Sequence, residues 1–209
     1  MRCVVFAAAL ALAACTGAPG QDRGYGPNPE LEAPRQGVLP TVNIAPPTGW
    51  AEGEAPAAPA GFSVTRYAEA INHPRWFYVL PNGDVLVAQS STRPARRAGV
   101  VGWVRDRVKR RGSSIEDQSP DQSTLLRDSD ADGTVDETHV FAEGLNQPFG
   151  MALLGDWLYV ANTDAVLRFA YQEGATRLSG PPELVLELPY NEADNGHWTR
   201  SLAVSPDRS

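Results

Sequence analysis

A strand–turn–strand phrase is written three times in this chain, and no other feature narrows its possible folds as far. The first copy runs Arg75-Trp-Phe-Tyr-Val-Leu80, then Pro81-Asn-Gly-Asp84, then Val85-Leu-Val-Ala88. An aromatic and β-branched run, an Asn-Gly turn and a second aliphatic run make a hairpin, because the turn supplies the twist that two paired strands need. The second copy is Phe149-Gly-Met-Ala-Leu-Leu154, Gly155-Asp156 and Trp157-Leu-Tyr-Val-Ala161. The third opens at Arg200-Ser-Leu-Ala-Val204 and reaches the turn Ser205-Pro-Asp207, two residues before the sequence stops. Further strands are expected over 124–127, 138–141, 165–171 and 183–188, and Phe62 to Tyr67 alternates as a strand ahead of the first copy. No stretch of the body sustains helical periodicity. Hairpins that recur with strands between them mark propeller blades, four strands to a blade, whereas a sandwich does not predict a repeated phrase. The expected fold is all-β, with residues 61–209 forming roughly three blades at ~40–50 residues each. A propeller protects its strand edges by closing radially, and this stretch is too short to close. The sequence therefore predicts an incomplete propeller, truncated at its C-terminus.

Two segments precede the body. Met1-Arg2 is a short positive start, and Cys3 to Ala14 is apolar throughout. That run is too short to span a bilayer, which needs about 20 residues, and it suits a signal-peptide core. It ends Leu12-Ala13-Ala14-Cys15, the pattern of a bacterial lipobox, so residues 1–14 read as a lipoprotein signal peptide with Cys15 as the acylated residue. An ordinary cleaved signal is the alternative. Thr16 after the cysteine, instead of an aspartate, leans towards the outer membrane with the domain facing the periplasm, anchored through lipid. Residues 15–60 carry half of the 18 prolines and read as an extended, mobile tether, with Val38 to Ile44 the one patch able to dock. Both cysteines lie in the first fifteen residues, so no disulfide or cysteine metal site can form in the body. The net charge of −7 argues against any general affinity for nucleic acid. A basic run from Arg93 to Arg111 reads as a solvated loop between strands, with contact to anionic lipid or a partner as the alternative.

Three constellations could carry chemistry. Asp128-Ser-Asp-Ala-Asp-Gly-Thr-Val-Asp136 places carboxylates at Asp128, Asp130 and Asp132, a backbone carbonyl at Thr134 and a further carboxylate at Asp136. Alternating short acids around a sharp glycine turn are how a calcium loop aims its oxygens, although His139 stands where an EF-hand has its bidentate glutamate. An acidic, solvated turn is the plainer alternative. In Asn195-Gly-His-Trp-Thr-Arg200, His197 precedes the third inner strand, with Arg200 three residues on. A histidine there can project into a central cavity as a general base, or be a satisfied loop residue. His73 and His139 read as structural. Gln147 opens the second copy as His197 opens the third, so it could reach the same cavity.

Several of these phrases resemble the L-sorbosone dehydrogenase family of pyrroloquinoline quinone (PQQ)-dependent sugar and aldose dehydrogenases. The likeness is carried by Arg75 to Ala88, Leu125 to Gly133, Gly144 to Gly155, Leu158 to Asp164 and Asn195 to Arg200, and runs from about Phe62 to the end. It implies a six-bladed propeller in which His197, followed by Leu202 and Pro206-Asp207, is the base that takes the sugar hydroxyl proton. Hydride would then pass from the sugar C1 to the quinone, and an external acceptor would reoxidise it. Gln147 resembles a cofactor-cavity glutamine, Arg200 is the nearest further candidate for cofactor contact, and the Asp128 loop is not the family's catalytic calcium site. The family's remaining PQQ and calcium contacts fall in later blades, so the 209-residue chain alone is expected to be inactive. Two other readings stand beside this one. One is a non-enzymatic surface propeller that binds a partner and is stapled by its calcium loop. The other is a lactonase-like hydrolase, which would need metal-binding carboxylates in the central channel.

Overall fold

The computed structural model describes residues 27–29, 48–51, 53–93, 119–191 and 197–207. Met1–Val42 and Asn43–Ser209 are separate units, and the architecture below is that of the second. The expected signal peptide with Cys15, most of the expected tether including Val38 to Ile44, and the basic run beyond Arg93 lie outside the described residues. Among the described residues no helix is long and apolar enough to cross a membrane.

Eight strands follow one another: β1 (Pro74–Val79), β2 (Val85–Gln89), β3 (Gln122–Arg127), β4 (Glu137–Ala142), β5 (Met151–Leu154), β6 (Trp157–Ala161), β7 (Ala165–Ala170) and β8 (Glu183–Glu187). They form two four-stranded antiparallel meanders, β1-β2-β3-β4 and β5-β6-β7-β8, which are two complete blades of a partial β-propeller. The first hairpin closes through Leu80 N–H to Asp84 O at 2.8 Å and Gly83 N–H to Leu80 O at 2.9 Å. Gly83 sits at φ +91°, a left-handed turn position that a side chain would strain. The second hairpin is tighter, with Leu154 opposite Trp157 across the pair Gly155-Asp156.

Register fixes which side chains share a face. Tyr78 lies opposite Leu86, which lies opposite Leu125, so these three share one face of the first sheet. Their neighbours Phe77 and Val87, and Val79, Val85 and Leu126, point the other way. The Tyr78 face packs on the second sheet, where Leu86, Leu125 and Phe141 meet Met151, Leu158, Val160 and Phe169 in one buried cluster. Each such side chain taken out of water contributes ~1.5–3 kcal/mol. Two polar links cross the same seam: Leu153 N–H donates to the Tyr78 hydroxyl at 3.1 Å, and the Ser123 hydroxyl to Met151 Sδ at 3.6 Å. The strands β1 and β5 also approach each other, so the sheets converge along their first strands.

The second sheet is covered on its other face by the third copy of the phrase. Leu202 to Ser205 run beside Ala152, Leu154 and Tyr159 across a cleft of about 140 Å³. Gly150 permits this approach: its N–H donates to Arg200 O at 2.9 Å, and a Cβ there would lie 2.5 Å from Leu202 N. Gly150→Ala is therefore expected to push the Arg200–Leu202 backbone off the sheet and cost ~1–3 kcal/mol. A lowered thermal midpoint with a red-shifted tryptophan emission would report it.

Two expectations are corrected. Phe62 to Tyr67 is not a strand: Phe62 and Val64 are exposed, and its backbone bonds are Phe62 N–H to Pro59 O at 3.1 Å and Val135 N–H to Tyr67 O at 3.0 Å, with no ladder. Alternation alone cannot make a strand without a partner ladder. The third copy likewise runs without strand pairing over Arg200 to Val204, so two blades are complete and the expected third contributes only its opening segment among the described residues. The remaining strands fall where the sequence places them, within two residues at each end.

Candidate functional site

The convergent first strands bring together residues far apart in sequence. Strand β1 begins at Pro74, and its register slips between Pro74 and Trp76, which leaves Arg75 as a bulge. Arg75 is exposed at this bulge, and its guanidinium lies across the neighbouring backbone and ring. Its Nε donates to Ser90 O at 2.7 Å, and its Cζ lies 5.5 Å from the centre of the Trp198 ring. Burial pushes its pKa down. Among the described residues, no carboxylate pairs with it.

Trp198 is 5% exposed, and its indole N–H donates to Thr92 Oγ1 at 3.1 Å. Phe149 meets it edge-on at 6.3 Å, and Trp76 stacks against Phe149 at 5.3 Å with a 34° tilt. Three aromatic rings, one from the entry of each copy, thus form a continuous wall. His197 stands at the end of that wall and is exposed. Its backbone carbonyl accepts from Arg200 Nη1 at 2.9 Å. Arg200 also donates to Thr199 O at 3.4 Å and to Pro189 O at 3.3 Å, clamping the turn that carries the histidine.

Gln147 is fully buried. Its amide donates to Ser91 O at 2.8 Å, and its N–H to Asp121 Oδ1 at 3.1 Å. Asp121 in turn accepts from Arg93 Nη2 at 2.6 Å. His73 and Gln147 each precede a proline and each sit at a left-handed φ, +47° and +48°. Two repeats therefore carry the same uncommon backbone at the same point, where it turns the chain into the inner strand. His139 bonds Glu137 Oε2 at 2.9 Å, a contact that holds the Glu137 carboxyl below the usual range.

The acidic loop joins β3 to β4. Asp128, Asp130 and Asp136 bring one carboxylate oxygen each within 4.8 Å of the others, a set that could hold a hard cation. Asp132 is not in that set. Its Oδ1 instead accepts the Thr134 N–H at 2.7 Å, while Gly133 N–H donates to Asp128 Oδ2 at 2.8 Å. Leu126, beside this loop, pairs with Val85, whereas Gln89, at the other end of β2, leads into the Ser90–Thr92 segment under the wall. The loop and His197 thus lie at opposite ends of the first sheet, so its carboxylates are not at the histidine.

Sequence reasoning singled out His197, Gln147, Arg200 and the acidic loop, and it missed Arg75, Trp76, Phe149 and Trp198 as a group. The available signal was positional: each lies within three residues of His73, Gln147 or His197, at the entry to a copy.

Residues 57–180 match the family described as "Domain of unknown function (DUF7133)". No curated protein matches the sequence significantly. Among solved structures, the chain is similar to the holo form of the pyranose dehydrogenase PQQ domain from Coprinopsis cinerea, with 16% identity and a TM-score of 0.44 over 66% of this chain and 26% of that one. It is also similar to two Trichoderma reesei structures of Carbohydrate-Active Enzymes Family AA12. The iodide structure gives 16% identity and a TM-score of 0.49 over 81% of this chain and 34% of that one. The calcium structure gives 17% and 0.49 over 73% and 31%. The chain spans about a third or less of each of these chains.

Proposed function

The chain belongs to the DUF7133 family, and from that footing we propose that it supplies the opening blades and the base of a PQQ-dependent sugar oxidoreductase of the L-sorbosone dehydrogenase type. The observation that carries the reading is the setting of His197: a solvent-open imidazole beside a locked aromatic wall, where the inner strands converge. A general base must reach its substrate while its backbone stays fixed, and Arg200 and Trp198 fix this one.

PQQ is a planar tricarboxylate, so the site must offer uncompensated positive charge beside flat apolar surface. Arg75 meets that requirement, since it lies over an indole with no described carboxylate partner. Among the described residues, Arg200 spends three of its five N–H donors on carbonyls and keeps two. Arg75 and Arg200 would therefore face the carboxylates, and Gln147 would serve from behind by fixing the Ser91 segment. The bound quinone supplies the two-electron acceptor for the hydride that leaves the sugar C1. His197 takes the C1 hydroxyl proton on an imidazole nitrogen. The aromatic wall excludes water from one side of the reacting ring.

In this reading the other cofactor contacts lie outside the 209 residues, and an external acceptor collects the electrons. Cys15 acylation would hold the domain at the periplasmic face of the outer membrane. The test is dye-linked oxidation of aldoses by the full-length gene product with PQQ supplied. Bound PQQ without sugar oxidation would refute the assignment.

A second reading, a binding module stapled by calcium, is favoured by one observation, the convergence of Asp128, Asp130 and Asp136. In either reading we propose that this loop takes calcium and pins the β3–β4 connection. Calcium at 100 times its Kd is expected to add ~2.7 kcal/mol of stability. Thermal melts with calcium and with chelator should therefore separate by several degrees, and Asp130→Asn should bring them together.

A further inference from the structure

We infer that Trp76 is a ring-stacking, specificity-determining residue of this protein, taking the apolar face of a pyranose; the inference rests on the sugar-oxidising reading above. Trp76 is 45% exposed, whereas Trp198, in the same wall, is 5% exposed. A large aromatic left this open at the meeting line of two sheets, on the face it shares with the half-buried Tyr78 and Phe149, offers a binding surface; Phe77 and Val79 are exposed as well, on the opposite face.

Its geometry suits a platform. Phe149 backs the indole at 5.3 Å, and Trp198 holds Phe149 edge-on at 6.3 Å. Trp198 is itself pinned by Thr92 at 3.1 Å and capped by Arg75 at 5.5 Å. The ring is therefore held from behind through a chain of fixed contacts, while the remaining indole surface is presented to solvent. Little side-chain entropy is left to lose when a ligand arrives.

The chemistry selects a sugar ring. An indole face carries the negative part of the aromatic quadrupole, and the flat side of a pyranose presents several C–H groups that are its weakly positive complement. Stacking covers apolar surface on both partners, while the ring hydroxyls, directed outward, stay hydrated. An open-chain polyol has the same hydroxyls and no such face. Trp76 should therefore discriminate closed rings from open chains.

The test is intrinsic fluorescence of the full 209-residue chain, without PQQ, titrated with D-glucose and separately with D-sorbitol. A saturable change with D-glucose and none with D-sorbitol is expected. Trp76→Leu should weaken the D-glucose response about tenfold, Trp76→Phe should restore part of it, and Trp157→Phe should leave it intact, because Trp157 stacks under Arg168 on the second sheet. Equal responses to the two polyols, or a Trp76→Leu chain that binds D-glucose as tightly as the parent, would overturn the inference. A change caused by PQQ alone, with none from D-glucose, would overturn it as well. Ring-selective binding without dye-linked oxidation upholds the inference and removes the enzymatic reading. Oxidation by the full-length product with an unaltered KM in Trp76→Leu does the reverse.

Discussion

His197→Ala in the full-length product is expected to lower PQQ-dependent sugar oxidation by ~10²–10⁴-fold, the range in which a positioned general base contributes. The change should fall on kcat, because the imidazole acts on a proton in transit and makes little contact with the resting substrate. Folding should be untouched: the side chain is exposed, and the contact that anchors the turn uses the His197 backbone carbonyl, which alanine keeps. A thermal midpoint equal to the parent's, with activity lost, would separate chemistry from stability. Activity that survived the substitution would remove the histidine from the mechanism and leave the calcium-stapled binding module as the better account.

Arg127→Ala should produce the largest loss of stability, ~3–5 kcal/mol, because it strands a buried charge. Arg127 grips Asp84 with both ends of its fork, Nε to Oδ1 at 2.8 Å and Nη2 to Oδ2 at 2.6 Å. The Asp84 side chain is only 5% exposed, so a carboxylate left there keeps the Asn82 amide at 2.8 Å but loses its paired charge. Arg127 also donates to Gly174 O at 3.1 Å, tying the hairpin turn of the first blade to the loop after β7 in the second. Asp84→Asn should cost less, since it removes the charge together with the need to neutralise it.

The pH dependence follows from the same pair. The hydrogen bond from Arg127, assisted by Asn82 and opposed by burial, holds the Asp84 carboxyl below the usual aspartate range. A depressed carboxylate contributes stability above its unfolded pKa of ~3.9, and that contribution is lost as pH falls through the folded value. Chemical denaturation should therefore show stability dropping below about pH 4 in the parent. The slope should be shallower in Asp84→Asn, and equal slopes would mean that this pair does not drive acid unfolding.

The hairpins were legible because their causes are local. Tyr78, Leu86 and Leu125 alternate with outward neighbours at period two, and Asn82-Gly83 sets the turn whatever packs around it. The same logic gave β6 its limits to the residue, from Trp157 to Ala161. It failed at Phe62 to Tyr67, where the alternation was real and no ladder came to meet it. Gln147 shows a similar limit: its place at the entry of a copy could be read, but not that its amide is committed to Ser91 O. The acidic loop was half legible, since spacing nominated four aspartates and the folded turn converges three while Asp132 caps Thr134.

The amino-acid sequence by itself determined the all-β class, the four-strand repeat and the positions of the turns, because period, propensity and turn chemistry act over a few residues. Only the tertiary structure decided that Trp76, Phe149 and Trp198 make one wall, that Arg75 is bulged over it, and that Asp84 is buried on Arg127, 43 residues away. Such pairings depend on how one blade lies against the next. Blade packing follows from the total apolar area that two sheets can hide together, a quantity that no single segment contains.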